Sequence, residues 1–580
     1  MQVPFIIVLF LLLLLSGRPG SVSRSALRHE LLITELLPDP EPAVGLPAAE
    51  FVEVRNCSDR PIDLKGWQLT DGSSTARVQE SFLLRPDSFA ILCAAASVPL
   101  YRPLGRTVGL TAWPALNNEG DCISLLSPEG MTIHAVAYSA DWFSNPVQRQ
   151  GGFSLEMMDQ RSPCQGSSNW IASADPAGGT PGRQNSISRN NPDETGPSLI
   201  RTYTLRRDAV VAVFDEPLDS TSAAVPAHYI LTREEGGTDY TILKASPAPP
   251  LFQEVTLYLN RLMDSAGVHR VIVRQVRDCA GNTAGVRHTA KAGWPVPPDS
   301  PGVKINEILF NPAPGGDDYI ELYHDGPKPV DLRQLYLASR SATGQLSNSR
   351  ALSPTPYLFF PGEYKVLTTV PAWLSAHYWV KDPTALLPVS ALPVMPNDQG
   401  SLALLDARGR ILDEVRYDHR WHLAWISQEE GVALERIHYR LPAMDSHNWA
   451  SAASTAGFGT PGYRNSQSAT ANDAQGLISC SPKIFSPDQD GLDDLLLIQY
   501  QLPGPGWKAS ITVFNVQGHP VRHLVQQALL GTKGSFRWDG LDDQSRKLPM
   551  GTYILLTELY SLQGERRRSK EVVVLAGRLQ

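Results

Sequence analysis

The sequence predicts an all-β protein of about four tandem modules joined by Pro/Gly-rich or small polar linkers. Three observations carry this. The first is an internal duplication: LLITELLPDPEPAVGLPAAEFVEVRNCSDRPIDLKGWQL from Leu31 returns from Val303 as VKINEILFNPAPGGDDYIELYHDGPKPVDLRQLYL, matching Glu35 with Glu307, Glu53 with Glu321, Pro61 with Pro329 and Asp63 with Asp331. Each copy continues to an Asn-Trp pair (Asn169-Trp170, Asn448-Trp449) and closes on a tag, GGTPGRQNS or GFGTPGYRNS. Two modules of roughly 160 residues are thus visible by self-comparison. The second is period-two alternation in EFVEVRN, DYIELYH, PIDLKGWQL and PVDLRQLYL, the pattern of strands with one wet face. The third is composition: 45 glycines and 47 prolines in 580 residues, with almost no long 3.6-period stretch. At about 150 residues per domain the length gives roughly four domains.

The chain opens on PFIIVLFLLLLL, residues 4–15. This run of about twelve is too short for a spanning helix and suits the hydrophobic core of a signal peptide. Residues 1–24 are therefore predicted to be a signal peptide, leaving no integral membrane span after its removal; an uncleaved anchor is the alternative. No Lys or Arg precedes the run, and SGRPGSVSRSA offers an imperfect cleavage pattern. A net charge of −8 supplies no basic field, which excludes nucleic acid as an expected partner.

The first repeat module occupies 28–186 and the second 302–466. Their Gly-Thr-Pro-Gly tags suit neither strand nor helix interiors and mark the module exits. The motifs resemble the bacterial lamin-tail domain, whose sequences show I-N-E-I-x-x-[ND]-P, E-[FY]-[IV]-E-L, [IV]-D-L-x-G-W and a final G-T-P-G-x-x-N-S. The match is looser in the second copy, where Gln334-Leu335 replaces Gly66-Trp67. The resemblance implies an immunoglobulin-like β-sandwich without enzymatic activity.

Six cysteines stand at 57, 93, 122, 164, 279 and 480, with no C-x-x-C, which argues against zinc-ribbon or thioredoxin-type sites. Four lie in the first module. The second carries Asp325, Thr368, Ser401 and Ala443 in their places, so the fold does not need them. One or two disulfides among Cys57, Cys93, Cys122 and Cys164 are expected for an exported protein, with four buried thiols as the alternative. Cys279, alone in its module, reads as a buried thiol.

Residues 193–295 form a different module, with AVVAVFDEPLDS, AHYILT, VTLYLN and VRDCAGNTA as strands and turns. Its F-[SD]-E-P-[LV]-D strand, Tyr229 and D-x-A-G-N turn resemble the bacterial Ig-like module. Asp215, Glu216, Asp219 and Asp278 suggest either a metal site or carboxylates bonding local backbone; the latter is the expected role. The joints SISRNNPDETGP and AGWPVPPDSPG should be semi-rigid and NSQSATANDAQG flexible, holding the beads in an extended arrangement.

The last module, 478–580, carries F-N-x-x-G-x-x-V-R-x-L, W-D-G-x-D and P-x-G-T-Y at Phe514, Gly518, Val521, Arg522, Trp538 to Gly540, Pro549, Gly551 and Tyr553. These resemble the Ig-like fold of flagellar hook-capping proteins, found at the C-terminus of secreted Bacteroidetes-type proteins, and imply a sorting domain of type IX secretion. The run SPDQDGLDD, 486–494, is the densest acidic loop. An EF-hand is excluded because Leu497 takes the place of its bidentate glutamate. A shorter loop of Asp488, Asp490 and Asp494 is the candidate site for one weakly held calcium, the only cofactor suggested. A turn closed by Asp-to-backbone bonds is the alternative.

No G-x-S-x-G, Walker loop or H-E-x-x-H occurs, and no catalytic residue is assigned. The nearest constellation is the repeated set Glu35, Glu53, Asp63 and Glu307, Glu321, Asp331. Paired carboxylates at about 5–10 Å can hydrolyse glycosides, but strand-end carboxylates bonding backbone are the expected role. Trp113, Trp142, Phe143, Trp421 and Trp425 offer a sugar-stacking platform or, as usual in small sandwiches, core. The functional expectation is a non-enzymatic secreted or cell-surface protein with a structural, spacer or adhesive role. Its partners would be an extracellular or cell-surface protein or glycan and the secretion machinery. The alternatives are a carbohydrate-binding surface protein and a secreted hydrolase.

Overall fold

The computed structural model describes residues 26–234, 240–265, 267–285, 287–298, 302–341, 343–469 and 477–577. The predicted signal peptide and 470–476 of the third joint lie outside them. The protein is an all-β, multi-domain sandwich fold. Its strands enclose four main apolar cores, drawn from residues 26–172, 199–292, 303–449 and 480–575. Among the described residues no helix is long and apolar enough to cross a membrane.

The duplication extends to topology. In the first copy a six-stranded sheet runs Trp170–Ala172, Leu155–Met157, Leu31–Leu37, Phe51–Asn56, Phe89–Ala94, Thr107–Leu110. It faces a four-stranded sheet ordered Thr132–Ser139, Gly120–Leu126, Gln68–Thr70, Thr75–Arg77. The second copy repeats both orders, with Trp449–Ser451, Leu434–Arg436, Val303–Leu309, Tyr319–His324, Tyr364–Thr368, Leu386–Pro388 against Ile411–Asp418, Gln399–Asp406, Leu335–Arg340, Leu346–Ala351. In each, the outermost pair of the larger sheet is parallel. Such a pair needs a crossover, supplied by helical turns at Ala95–Tyr101 and by the helix Pro371–His377.

One expectation is corrected here. Leu31–Leu37 and Val303–Leu309 are buried along their whole length, so the larger sheets have no wet face at their centres. A second apolar cluster covers the outer face, built from Leu37, Leu46, Phe51, Ile91, Cys93 and Tyr101 in the first copy. Leu309, Tyr319, Val366, Leu374 and Tyr378 do the same in the second. The alternation of polar and apolar residues is real, but its polar members are glutamates held beneath the closing tags.

Between the copies, Leu199–Arg206, Ala209–Phe214, Glu254–Leu259 and Ile242–Pro247 oppose a sheet of Tyr229–Arg233, His269–Val273 and Thr289–Ala292. The last unit opposes three strands to five, the long hairpin Gly551–Ser561 and Arg566–Leu575 among them.

The described parts of the joints are tied to neighbouring elements. Asn191 N–H donates to Asp159 and Arg189 N–H to the Met158 carbonyl, laying the first joint on the first copy. Val296 N–H donates to the Pro329 carbonyl at the second joint. Tyr203, Val211 and Val213 then meet Leu358 and Phe360 in an apolar contact. At the start of the third joint, Gln467 Nε2 reaches the Leu530 carbonyl at 3.1 Å.

The cysteine expectation is also corrected. Cys164 pairs with Cys279, 115 residues away in the next unit, while Cys57, Cys93, Cys122 and Cys480 are free thiols. Cys93 is buried in the cover of the first large sheet, whereas Cys57 is exposed. Cys93 lies on Phe89–Ala94 of the larger sheet and Cys122 on Gly120–Leu126 of the smaller, whereas Cys164, on the loop before Asn169-Trp170, bonds to the neighbouring unit.

Candidate functional site

The repeated carboxylates become two rows of three. Glu35 lies in register with Glu53 on one side and Glu156 on the other. Glu307 lies likewise between Glu321 and Glu435. Directly opposed residues in neighbouring strands project to one face, and a register shift at Thr34 or Asn306 sets that face outward from the core. All six side chains are 0 % exposed.

Each row clasps its own closing tag. Glu35 accepts from Thr180 N–H at 2.7 Å and Ser154 Oγ at 2.5 Å. Glu53 accepts from Gly182 N–H at 2.6 Å and Thr34 Oγ1 at 2.7 Å. Glu156 takes Thr180 Oγ1 at 2.9 Å and Ser186 Oγ at 2.8 Å. The second copy repeats the arrangement: Glu307 with Thr460 N–H at 2.8 Å, Glu321 with Gly462 N–H at 2.6 Å, Glu435 with Gln467 N–H at 2.7 Å. The tag asparagines finish it, since Asn185 Nδ2 donates to the Thr34 and Met157 carbonyls and Asn465 Nδ2 to those of Asn306 and Arg436. Gly182 and Gly462, at φ +85° and +84°, adopt left-handed backbone that favours glycine. A Cβ on Gly179 would stand 2.7 Å from the Glu35 carboxylate. The tag's residue types are those the clasp requires.

Burial pushes Glu35 and Glu307 up to about 8, and a neighbouring glutamate in each row adds to the rise. Glu53, Glu321 and Glu435 are also raised, again by desolvation first. A row of buried, hydrogen-bonded carboxyls without solvent access has no route for a substrate. Asp63 and Asp331 do not join the rows. Asp63 accepts from Lys65 N–H and Phe82 N–H, and Asp331 from Arg333, both as turn carboxylates.

Glu156 and Glu435 are the members that reading the sequence missed. They sit on three-residue strands, Leu155–Met157 and Leu434–Arg436, too short for a periodicity signal. The shared Leu-Glu ahead of each Asn-Trp pair was the available clue. That Asn is itself structural: Asn169 Nδ2 reaches the Asp159 and Ser162 carbonyls, and Asn448 Nδ2 those of His438 and Leu441.

The aromatic candidates form no platform. Trp113, Trp142 and Phe143 lie against or within the first core, Trp113 Nε1 donating to Glu50. Trp421 lies against the second core beside Trp449. Trp425 carries Lys508 of the last unit over its ring at 5.2 Å.

Acidic groups of the second unit divide. Asp215 accepts from Ser198 N–H, Asp219 caps the turn Ser220–Ala223, and Asp278 accepts from Gly281 and Asn282 N–H. Glu216 instead gathers with Asp193 and Asp278, oxygen atoms within 4.8 Å. Desolvation, with these carboxylates adding, pushes it up to about 8.

In the last unit Asp488, Asp490 and Asp494 do converge, with oxygens within 4.8 Å of one another. Their loop is also closed by its own backbone: Asp494 accepts from Gln489 N–H at 2.6 Å and Gly491 N–H at 2.9 Å, and Asp490 from Leu492 N–H at 2.9 Å. The calcium expectation has a direct test. Thermal melts of the protein in millimolar calcium and in chelator are expected to differ by a raised transition for this unit, abolished in Asp488→Ala/Asp490→Ala. Superimposable melts would leave only the turn.

Comparison with known proteins places a Lamin Tail Domain family match at residues 24–140. No curated protein matches. Among solved structures, the N-terminal part of the bacterial S-layer protein SbsC is similar at 15% identity and TM-score 0.17, covering 28% of this chain and 42% of that one. The chain thus spans under half of that fragment. A DUF4876 family protein from Bacteroides thetaiotaomicron gives 10% identity and TM-score 0.18, with 36% and 82% covered. A tetra-tandem repeat from the extending region of a large adhesion protein gives 10% and 0.13, with 94% and 99% covered. Likenesses of this size carry no conclusion about function.

Proposed function

We propose that the chain is a non-enzymatic, exported protein of the cell surface, with a structural, spacer or adhesive role. It is made of tandem units at 28–186, 193–295, 302–466 and 478–580. The observation that carries this reading is the fate of the glutamate rows: the strongest catalytic candidates in the chain are sealed under the closing tags and spent on holding them. A second lamin-tail unit at 302–466 is supported by its repeated strand order and clasp. The Cys164–Cys279 link between units suits an oxidising compartment outside the cytoplasm. The last unit, hook-capping-like in its motifs, serves export or surface attachment.

Fractionation of the native host tests both parts. The full chain is expected in the surface fraction, and a chain truncated after Gly476 is expected to be stranded within the envelope. Unchanged display of the truncated chain would remove the export role. Robust hydrolytic turnover abolished by Glu53→Gln or Glu321→Gln would overturn the non-enzymatic reading.

A further inference from the structure

Several ion pairs in this protein are local. Arg333 with Asp331, Arg410 with Asp406, Arg420 with Asp418 and Arg546 with Asp542 each neutralise a neighbour two or four residues away. One region instead gathers basic side chains that outnumber the carboxylates beside them. Where the second and third units meet, two adjoining hollows of about 230 and 590 Å³ share Lys291, Glu363, Lys365 and Thr384 and so form one continuous cleft. Basic side chains along it include Arg201, Arg287, Lys291, Lys365, Lys381 and Arg464, against the carboxylates Glu363 and Asp382 alone. Lys291 pairs with Glu363 at 3.0 Å. Among the described residues Arg287, Lys365, Lys381 and Arg464 form no ion pair.

The cleft is held in shape from both sides. Its floor is the apolar contact of Tyr203, Val211 and Val213 with Leu358 and Phe360, and Arg201 donates across the junction to the Pro356 carbonyl at 2.7 Å. Lys365 is 6 % exposed, its Nζ bonded to the Tyr357 hydroxyl and the Thr384 carbonyl. Arg201 and Lys365 lie over the Tyr357 ring at 5.2 and 4.9 Å. Arg287, Lys381 and Arg464 are exposed along the length. Concentrating one sign of charge between low-dielectric walls focuses the field, and a pre-organised cleft binds without the cost of ordering. The chain as a whole carries −8, so this positive channel opposes the net charge.

We infer that the cleft between the second and third units binds an anionic polysaccharide, its carboxylate or sulfate groups spaced along the row of Arg287, Lys291, Lys381 and Arg464. Hydroxyl and tyrosine groups on the walls suit sugar rings between the charges. The assignment is independent of the surface role: binding can fail with surface display intact, and the reverse.

The test uses the whole protein on immobilised alginate, heparin and neutral dextran, with single-stranded DNA as a competitor. Retention is expected on alginate or heparin and not on dextran, weakening with salt. Which of the two retains it identifies carboxylate or sulfate as the recognised anion. Arg287→Glu/Lys381→Glu/Arg464→Glu is expected to weaken binding at least tenfold. The charge-matched control Arg77→Glu/Arg102→Glu/Arg350→Glu, on exposed residues elsewhere, is expected to change it less than threefold. Equal losses in the two variants, no loss in the first, retention on dextran, or tighter binding of the DNA would each overturn the inference.

Discussion

Replacing Cys279 by serine is expected to lower the unfolding transition of the second unit by about 2–4 kcal/mol, the usual worth of a disulfide closing a long loop. The link joins Cys164 to Cys279 across 115 residues, so in the oxidised protein the unfolded second unit remains anchored to its folded neighbour. Arg28 adds to the same junction, donating to the Leu218 carbonyl at 2.8 Å and lying over Phe252 at 4.4 Å. Those contacts alone are weak enough that the units should part once the covalent link is gone. Differential scanning calorimetry with and without reductant checks this. Cys279→Ser, Cys164→Ser and the reduced wild type should give the same lowered transition. Unchanged calorimetric traces would show that the junction does not depend on the bond.

Glu321→Ala is expected to destabilise the third unit by about 2–4 kcal/mol, because it empties a buried site and leaves Gly462 N–H and one of the two hydrogens of Asn306 Nδ2 without the acceptor each now has at 2.6 Å. Glu307→Gln should be far milder. Thr460 Oγ1, 2.9 Å from Glu307 Oε2, can accept from the new amide while continuing to donate to Glu435. The two substitutions also differ in pH dependence. A buried carboxyl whose pKa is raised in the fold binds its proton more tightly there than in the unfolded chain. Its stabilisation is therefore complete below the unfolded value near 4.5 and is lost as pH rises toward about 8 for Glu307. His422, lowered by burial to about 4, acts in the opposite sense: its contribution is complete above the unfolded value near 6.5 and is lost as pH falls toward 4. Chemical denaturation between pH 6 and 9 covers the window of Glu307, with Asp318, pushed up to about 7 by burial, contributing at its lower end. Wild-type stability should fall with pH across this window, and Glu307→Gln should flatten the fall. Parallel profiles would show that Glu307 enters the fold ionised.

The duplication and the closing tags were legible because the chain states them twice. Where Glu35 and Glu307, or Gly182 and Gly462, recur at matched positions, a shared structural demand is the simplest cause, and the clasp is that demand. What comparison of copies cannot give is anything present once. Cys164 has Ala443 as its counterpart, which indicated that the repeated fold does not need it, but not that its partner lay in the next unit. The basic cleft is of the same kind, because Lys291 and Arg464 come from different units and only docking sets them in one channel. The burial of both sheet faces was hidden because glutamate reads as solvent-facing. Three carboxyls side by side lie buried under a tag that satisfies them, and no local pattern announces that.

The proposal that this is an exported, surface-displayed chain of linked units is tested most directly by peptide mapping, without reduction, of protein released by protease from intact host cells. The expected result is recovery of peptides from 25–580, including one disulfide-linked species joining Cys164 to Cys279, with Cys57, Cys93, Cys122 and Cys480 alkylatable as free thiols after unfolding. Recovery only after cell lysis, with Cys164 and Cys279 both reduced, would contradict it.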